Sequence, residues 1–204
     1  MDSTISKKLL TTKTMVQIGL LSAAAIILML FEIPLWFAPP FYKIDFSEVP
    51  VIVGALALGP IAGILIELVK IILNFLIDGT MTAGVGELAN FVIGCSLVVP
   101  AAMIYKKNKT KKSAMIGLAV GTVFMTAIGC VLNAYLLLPA YATAFHLDIQ
   151  KLIDMGTAIN PNINSLWTFI LLAVAPFNFI KGLLVSLVTL LIYKRISMIL
   201  KNRI

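Results

Sequence analysis

Charge is scarce in this chain: 12% of its 204 residues are Asp, Glu, Lys or Arg while 60% are hydrophobic, a balance that excludes an ordinary water-soluble globular domain. Cysteine and histidine are scarcer still, at two and one, which leaves neither a disulfide framework nor a His/Cys set able to hold a metal. Cys95 and Cys130 both fall in apolar runs, where a free thiol behaves as a small hydrophobe. No G-x-x-x-x-G-K-[ST] phosphate loop occurs, so the sequence offers no means of hydrolysing ATP. The lone His146 makes a nucleophile and base pair improbable and argues against a membrane enzyme. Carboxylates deep in apolar runs, which a self-sufficient ion-coupled carrier would need, are reduced to Glu67.

What the chain does have is long apolar runs. A hydrocarbon core of roughly 30 Å takes about 20 apolar residues per helix, and the runs with their breakers predict helices near 14–31, 47–59, 60–78, 85–105, 114–138 and 164–194. The expectation is an all-α polytopic membrane protein of six transmembrane helices, one domain over 1–204, surrounded by membrane lipid. The second helix is short, and Gly59-Pro60 places a tight turn after it, so that crossing is expected to be partial or strongly tilted. Ala23, Ala24 and Ala25 sit inside the first apolar run and not after it, so the first helix is expected to stay in the mature protein as a span.

Charge orients this arrangement. With six crossings, Lys7, Lys8 and Lys13, then Lys106, Lys107, Lys109, Lys111 and Lys112, then Lys194, Arg195, Lys201 and Arg203 all fall on one side. The other side collects Glu32, Asp45, Glu48, Asp78, Glu87, Asp148 and Asp154 against Lys43 and Lys151. Both N- and C-termini are therefore expected to be cytoplasmic. The net charge of +7 flanks apolar spans and forms no soluble basic face, which argues against nucleic acid as a partner.

Three connections, 32–46, 79–84 and 139–163, then face outward. The first, EIPLWFAPPFYKIDF, is rich in proline and aromatics and predicts an ordered extended segment packed over the protein. Its Trp36, Phe37, Phe41, Tyr42 and Phe46 suit either an interfacial belt or stacking on a planar ring. The third holds LDIQKLIDMG, a short amphipathic helix ended by Gly156.

Polar residues inside apolar spans are expensive and call for a reason. Glu67 and Lys70 lie three apart and can form an ion pair that locks packing, or can contact a substrate or partner. Asn133 lies near the outer end of the fifth span, and Asn178 and Lys181 share a face of the sixth. Lys181 stands thirteen residues from Lys194, roughly 20 Å up the helix, and neither span supplies an acid for it. Pro176 invites a kink beside them. Asn90 adds an amide near the outer end of the fourth span, and Gly84 and Gly86 permit close backbone approach. Together they outline an outward pocket for a flat, partly polar small molecule. Snorkelling of Lys181 with two helix-bridging amides is the competing account. Gly19 and Ala23 form a small-x-x-x-small face on the first helix, suited to packing within the chain or to docking a second membrane protein.

The order of these features resembles the substrate-binding S components of energy-coupling factor (ECF) vitamin transporters. FYKIDFSEVPVIVGALALGPIAGILIELVKIILNFL at 41–76, ANFVIG at 89–94, VLNAYLLLPAY at 131–141 and APFNFIKG at 175–182 are similar to the riboflavin-specific members. The resemblance implies a non-catalytic subunit of the bacterial plasma membrane that captures riboflavin as transported ligand and holds no cofactor. Its energy would come from a transmembrane coupling protein and two ATPases. It also implies that Asn133, Asn178 and Lys181 bond the flavin, that Tyr42, Lys43 and Asp45 contribute from the loop above, and that Gly19 and Ala23 face the coupling protein. Other vitamins served by the same fold, and a self-sufficient secondary carrier, are the alternatives.

Overall fold

The computed structural model describes residues 11–36, 38–39, 42–80 and 82–202. Lys7, Lys8 and Arg203 of the basic clusters and Phe37 and Phe41 of the aromatic segment lie outside the described residues, as does the side chain of Lys201.

Helix α1 (Thr12–Met29) starts where the Thr11 hydroxyl accepts the Thr14 N–H and so satisfies one orphan donor of the first turn. A two-residue antiparallel hairpin follows, β1 (Ile33–Pro34) and β2 (Lys43–Ile44), with Ile33 opposite Ile44 and Pro34 opposite Lys43. The proline-rich outer connection is thus ordered by pairing with itself. Helices α2 (Glu48–Leu58), α3 (Pro60–Asp78) and α4 (Val85–Lys107) come next. Helix α5 (Lys111–Leu132) passes through a widened π turn at Asn133–Leu137 into α6 (Leu138–Ala144). Helix α7 (Ile149–Thr157) bridges to α8 (Leu166–Phe169), which runs through a second π turn, Ile170–Val174, into α9 (Ala175–Asn202).

Five stretches are long and apolar enough to cross a membrane: Thr12–Met29, Pro60–Asp78, Val85–Lys107, Lys111–Ala144 and Leu166–Ile196. The chain is a helical membrane protein on that basis. Helix α2, expected as a second span, has 11 residues, about 16 Å at 1.5 Å per residue and so about half a hydrocarbon core. Every residue from Glu48 to Leu56 is buried, and α1, α3, α4 and α9 pack around it. Apolar on all sides after Glu48, it serves as the centre of the bundle. Gly59, at φ 113°, turns the chain back, and Pro60 opens α3 where a missing N–H is harmless.

The fifth helix was expected to stop near 138 and instead continues to Ala144. Both π turns are followed at the second residue by proline, Pro139 and Pro176. A proline ring collides with the carbonyl four residues back and removes its hydrogen bond. Widening the preceding turn relieves this, with Leu138 N–H bonding Asn133 C=O and Ala175 N–H bonding Ile170 C=O. Gly156, expected to end the amphipathic helix, is the last residue but one of α7, and a Cβ there would sit 2.8 Å from the Phe169 ring. Its absence lets α7 lie against α8.

The main core gathers Ile18, Ile52, Ile66, Leu97, Leu118 and Val185 from the long helices and α2. A second cluster joins Tyr42, Ile44, Leu138, Ile153, Phe169 and Phe177. It ties the hairpin and α7 to the region of the two π turns.

Candidate functional site

The first π turn and the start of α9, just after the second, line a cavity of about 750 Å3, within the ordinary range for a small-molecule site. The ends of α1 and α3, the start of α4, the α5–α6 junction, α9 and the hairpin all contribute to its wall. The Lys106–Lys112 connection joins the opposite ends of α4 and α5, so the cavity and this basic cluster lie at opposite ends of the bundle.

Of the residues expected from sequence, Tyr42, Lys43, Asp45, Asn90, Asn133, Asn178 and Lys181 line this cavity together. Gly84 is not among them. It takes φ +89° as the residue before α4, with open space where a Cβ would project, and its N–H bonds the Thr80 hydroxyl at 2.9 Å. Its work is therefore conformational, and Gly79 and Gly86 are the glycines in the wall. Trp36 is 90% exposed and does not reach inside, and Phe46 packs on the main core. Among the described aromatics of the loop, Tyr42 lies within, its ring 4.9 Å from that of Phe177.

The local geometry follows from the helices. Asn133 is the first residue of one π turn, and its Nδ2 donates to Gly129 C=O at 2.8 Å. Asn178 stands in the first turn of α9, and its Nδ2 donates to Val174 C=O at 3.0 Å, inside the other π turn. Each amide is thus fixed by the carbonyl four residues back, and the two helices meet at Gly129, where a Cβ would fall 2.8 Å from the Asn178 amide carbon. The Tyr42 hydroxyl donates to Asn133 Oδ1 at 2.6 Å and pins the loop to α5. Burial, first, and then the neighbouring Tyr141 and Cys130 push the Tyr42 phenol well above its ordinary range, so it stays a donor.

Lys181, for which the sixth span offered no acid, finds one across the cavity: its Nζ lies 2.8 Å from Asp45 Oδ2. Asp45 Oδ1 accepts the Ser47 N–H at 2.8 Å. Burial alone would raise the Asp45 carboxyl, but the Lys181 and Lys70 charges and the hydrogen bonds from Lys181 and Ser47 outweigh it and hold the group below the usual carboxylate range. Lys43, in contrast, pairs at the mouth with Glu32, both side chains being nearly half exposed.

The expected Glu67–Lys70 pair is a triad. Lys70 Nζ lies 2.8 Å from Glu67 Oε1 and 2.6 Å from Glu48 Oε1, all three side chains being essentially inaccessible. Two acids around one lysine need room, which Gly94 provides, since a Cβ there would collide with both carboxylates. Sequence reasoning missed Glu48, which was counted as a residue of the outer side. It also missed Asn74, which lines the cavity with a buried, unpartnered Oδ1. An amide one turn beyond Lys70 was the available signal.

Gly19 and Ala23 are exposed on α1, whose buried face is instead Gln17, Ile18, Leu21, Ser22 and Ala25. Of the two roles open to the small-residue face, packing within the chain is not the one the fold uses.

The family model described as ECF transporter, substrate-specific component, matches residues 13–193. The chain is 38% identical over 191 residues to the riboflavin transporter RibU of Staphylococcus aureus (strain TCH60), covering 93% of each. It is 36% identical over 186 residues to the riboflavin transporter FmnP of Bacillus subtilis (strain 168), covering 91% of this chain and 92% of that one. RibU of Streptococcus thermophilus (strain ATCC BAA-250 / LMG 18311) is 30% identical over 190 residues, 93% of this chain and 85% of the relative. Among solved structures, the S component of a bacterial ECF transporter superposes with a TM-score of 0.70 at 35% identity, covering 92% of this chain and 97% of that one.

Proposed function

The chain belongs to the family of ECF transporter substrate-specific components, and from that premise we propose that its cavity captures riboflavin for uptake across the bacterial plasma membrane. The observation that carries this is the convergence of the Asn133 and Asn178 amides and the Asp45–Lys181 pair in one cavity, in a chain with more than nine-tenths coverage by riboflavin transporters. It is a transporter subunit and not an enzyme.

A flavin ring is flat, apolar on its faces and studded with acceptors and one N–H along its pyrimidine edge. Tyr42 and Phe177 supply apolar and aromatic wall. Asn133, Asn178 and Lys181 supply polar groups for the polar edge, Asn90 and Asn74 add further amides to the wall, and Asp45 keeps the Lys181 ammonium in place. The hairpin, anchored by the Tyr42–Asn133 bond, is the lid. Because every ligand-facing polar group lies at the end opposite the Lys106–Lys112 connection, the positive-inside rule puts this mouth outside, with six passes and both termini in the cytoplasm. Here α2 and α3 together count as a re-entrant descent and a full return.

Release inward requires partners: a transmembrane coupling protein and two ATPases, with the exposed Gly19/Ala23 face of α1 as the docking surface. The test is optical. Purified protein should be yellow or, once stripped, should quench riboflavin fluorescence on titration to a one-to-one end point. Proteoliposomes of the chain alone should bind riboflavin without accumulating it. A stripped, folded protein that ignores riboflavin overturns the assignment.

A further inference from the structure

Lys70 does more than join two carboxylates. An ammonium carries three donors, and here all three are directed: to Glu48 Oε1 at 2.6 Å, to Glu67 Oε1 at 2.8 Å and to the Ser47 hydroxyl at 3.4 Å. Ser47 stands just before α2, where a serine ordinarily caps the first turn, yet its side chain makes no such bond. The hydroxyl accepts from α3 instead. Lys70 therefore grips two consecutive residues, Ser47 and Glu48, at the point where the hairpin segment enters α2.

Two residues earlier stands Asp45. Its Oδ1 accepts the Ser47 N–H and its Oδ2 pairs with Lys181, so the seat of Ser47 decides where the carboxylate can lie. Lys70 also acts on Asp45 through space, as the charge ranking after Lys181 among those that lower its carboxyl. Both lysines, Asp45, Ser47 and the two glutamates are buried, so water screens that field little.

Resting on the riboflavin reading, we infer that Lys70, which lies outside the described cavity wall, is a positioning residue of the ligand site: through Ser47 and Glu48 it fixes Asp45, and through Asp45 it seats the Lys181 ammonium. An ion triad that only locked α2 against α3 would be complete with Glu48 and Glu67. The turn of the Ser47 hydroxyl toward Lys70 is a contact such a lock does not need, and it is the one that leads to the cavity. The groups facing this chain of contacts are Lys181 from α9, Glu67 from α3 and Glu48 from α2, while α4 presents the Cys95 thiol beside the carboxylates.

The experiment titrates the stripped, full-length protein with riboflavin from about pH 7 to about pH 4, followed by fluorescence quenching, beside thermal melts of the ligand-free form. Ser47→Ala cuts the link while leaving the ion triad and the Ser47 N–H in place. Lys70→Met/Glu67→Gln removes one charge of each sign. Leu118→Ala, in the main core on a helix that carries none of these residues, serves as the packing control. Ser47→Ala should weaken riboflavin binding about 3- to 10-fold, the scale of one buried hydrogen bond. The double variant should lose at least as much, and its acid loss of affinity should begin about one pH unit higher than in wild type, because Asp45 no longer feels Lys70. Leu118→Ala should melt earlier yet bind within about twofold of wild type. Affinity of Ser47→Ala within about twofold of wild type overturns the inference, and that variant decides alone if the double variant does not fold. An unmoved acid limb in a folded double variant, or a loss in Leu118→Ala as large as in Ser47→Ala, overturns it too. Wild type that ignores riboflavin would instead overturn the riboflavin reading.

Discussion

Breaking the Asp45–Lys181 pair should loosen the lid and the ligand together. The two side chains are 8% and 10% exposed, so solvent screening does little to soften the loss. Removing one partner of a buried pair typically destabilises by about 3–5 kcal/mol because the other charge is left alone. In Lys181→Met, Asp45 keeps the Ser47 N–H and the field of Lys70, which argues for about 3 kcal/mol, the low end of that range. If riboflavin binds only the form with Asp45 seated, the apparent affinity falls with the population of that form, by up to about 100-fold at 1.4 kcal/mol per decade. Asp45→Asn should act similarly by stranding Lys181. The Asp45→Asn/Lys181→Met double variant strands neither charge, so its loss should fall short of the sum of the singles by about 2 kcal/mol. Dissociation constants from fluorescence quenching and thermal unfolding midpoints in one detergent supply all four corners of the cycle. Singles within about twofold of wild type in both readouts, or strictly additive losses, would refute the claim that the pair fastens the hairpin to α9.

Further outcomes follow from other contacts. Tyr42→Phe removes one hydrogen bond to a buried amide and should weaken riboflavin binding by about 1–2 kcal/mol, read by the same titration. Lys70→Met leaves Glu48 and Glu67 buried side by side and should destabilise the fold by about 3 kcal/mol or more, whereas Lys70→Met/Glu67→Gln should recover part of it; a thermal melt separates the two. Gly129→Val forces side-chain atoms into the Asn178 amide and should weaken binding by about 1–3 kcal/mol, with Gly117→Ser, against α4, as a packing comparison read by melting alone. Because Asp45 is held below its ordinary value, its contribution is complete above the unfolded-state value of about 4 and fades only as pH falls below it. Riboflavin affinity should accordingly be flat between about pH 7 and pH 5 and drop in more acid solution, and a loss already centred near pH 6 would point to another group.

The helical membrane architecture was legible because its cause is local. Once water is absent, each backbone polar group must be satisfied within its own helix, so apolar runs of sufficient length announce α1, α3, α4 and the two long composite helices. The same logic exposed Asn133, Asn178 and Lys181, since polar groups in such runs need a reason to be there. Helix α2 was legible as a short apolar helix but its surroundings were not: such a run reads alike whether lipid or protein surrounds it, and only its neighbours decide. The π turns were partly legible, in that Pro139 and Pro176 marked the places where a regular helix had to yield, although proline alone does not dictate a wide turn, as Pro100 inside α4 shows.

Pairings over long separations were beyond sequence reasoning. Lys181 and Asp45 stand 136 positions apart and Tyr42 and Asn133 stand 91 apart; nothing in either segment names the other. Glu67 and Lys70 revealed themselves through helical spacing, but Glu48, on another helix, joined them only when α2 folded against α3. By itself the sequence therefore determined the environment, the helices and which polar residues had to be explained, because those depend on neighbours three or four positions away. The tertiary structure alone decided which charge neutralises which, because charge balance is a sum over side chains that only packing brings within reach.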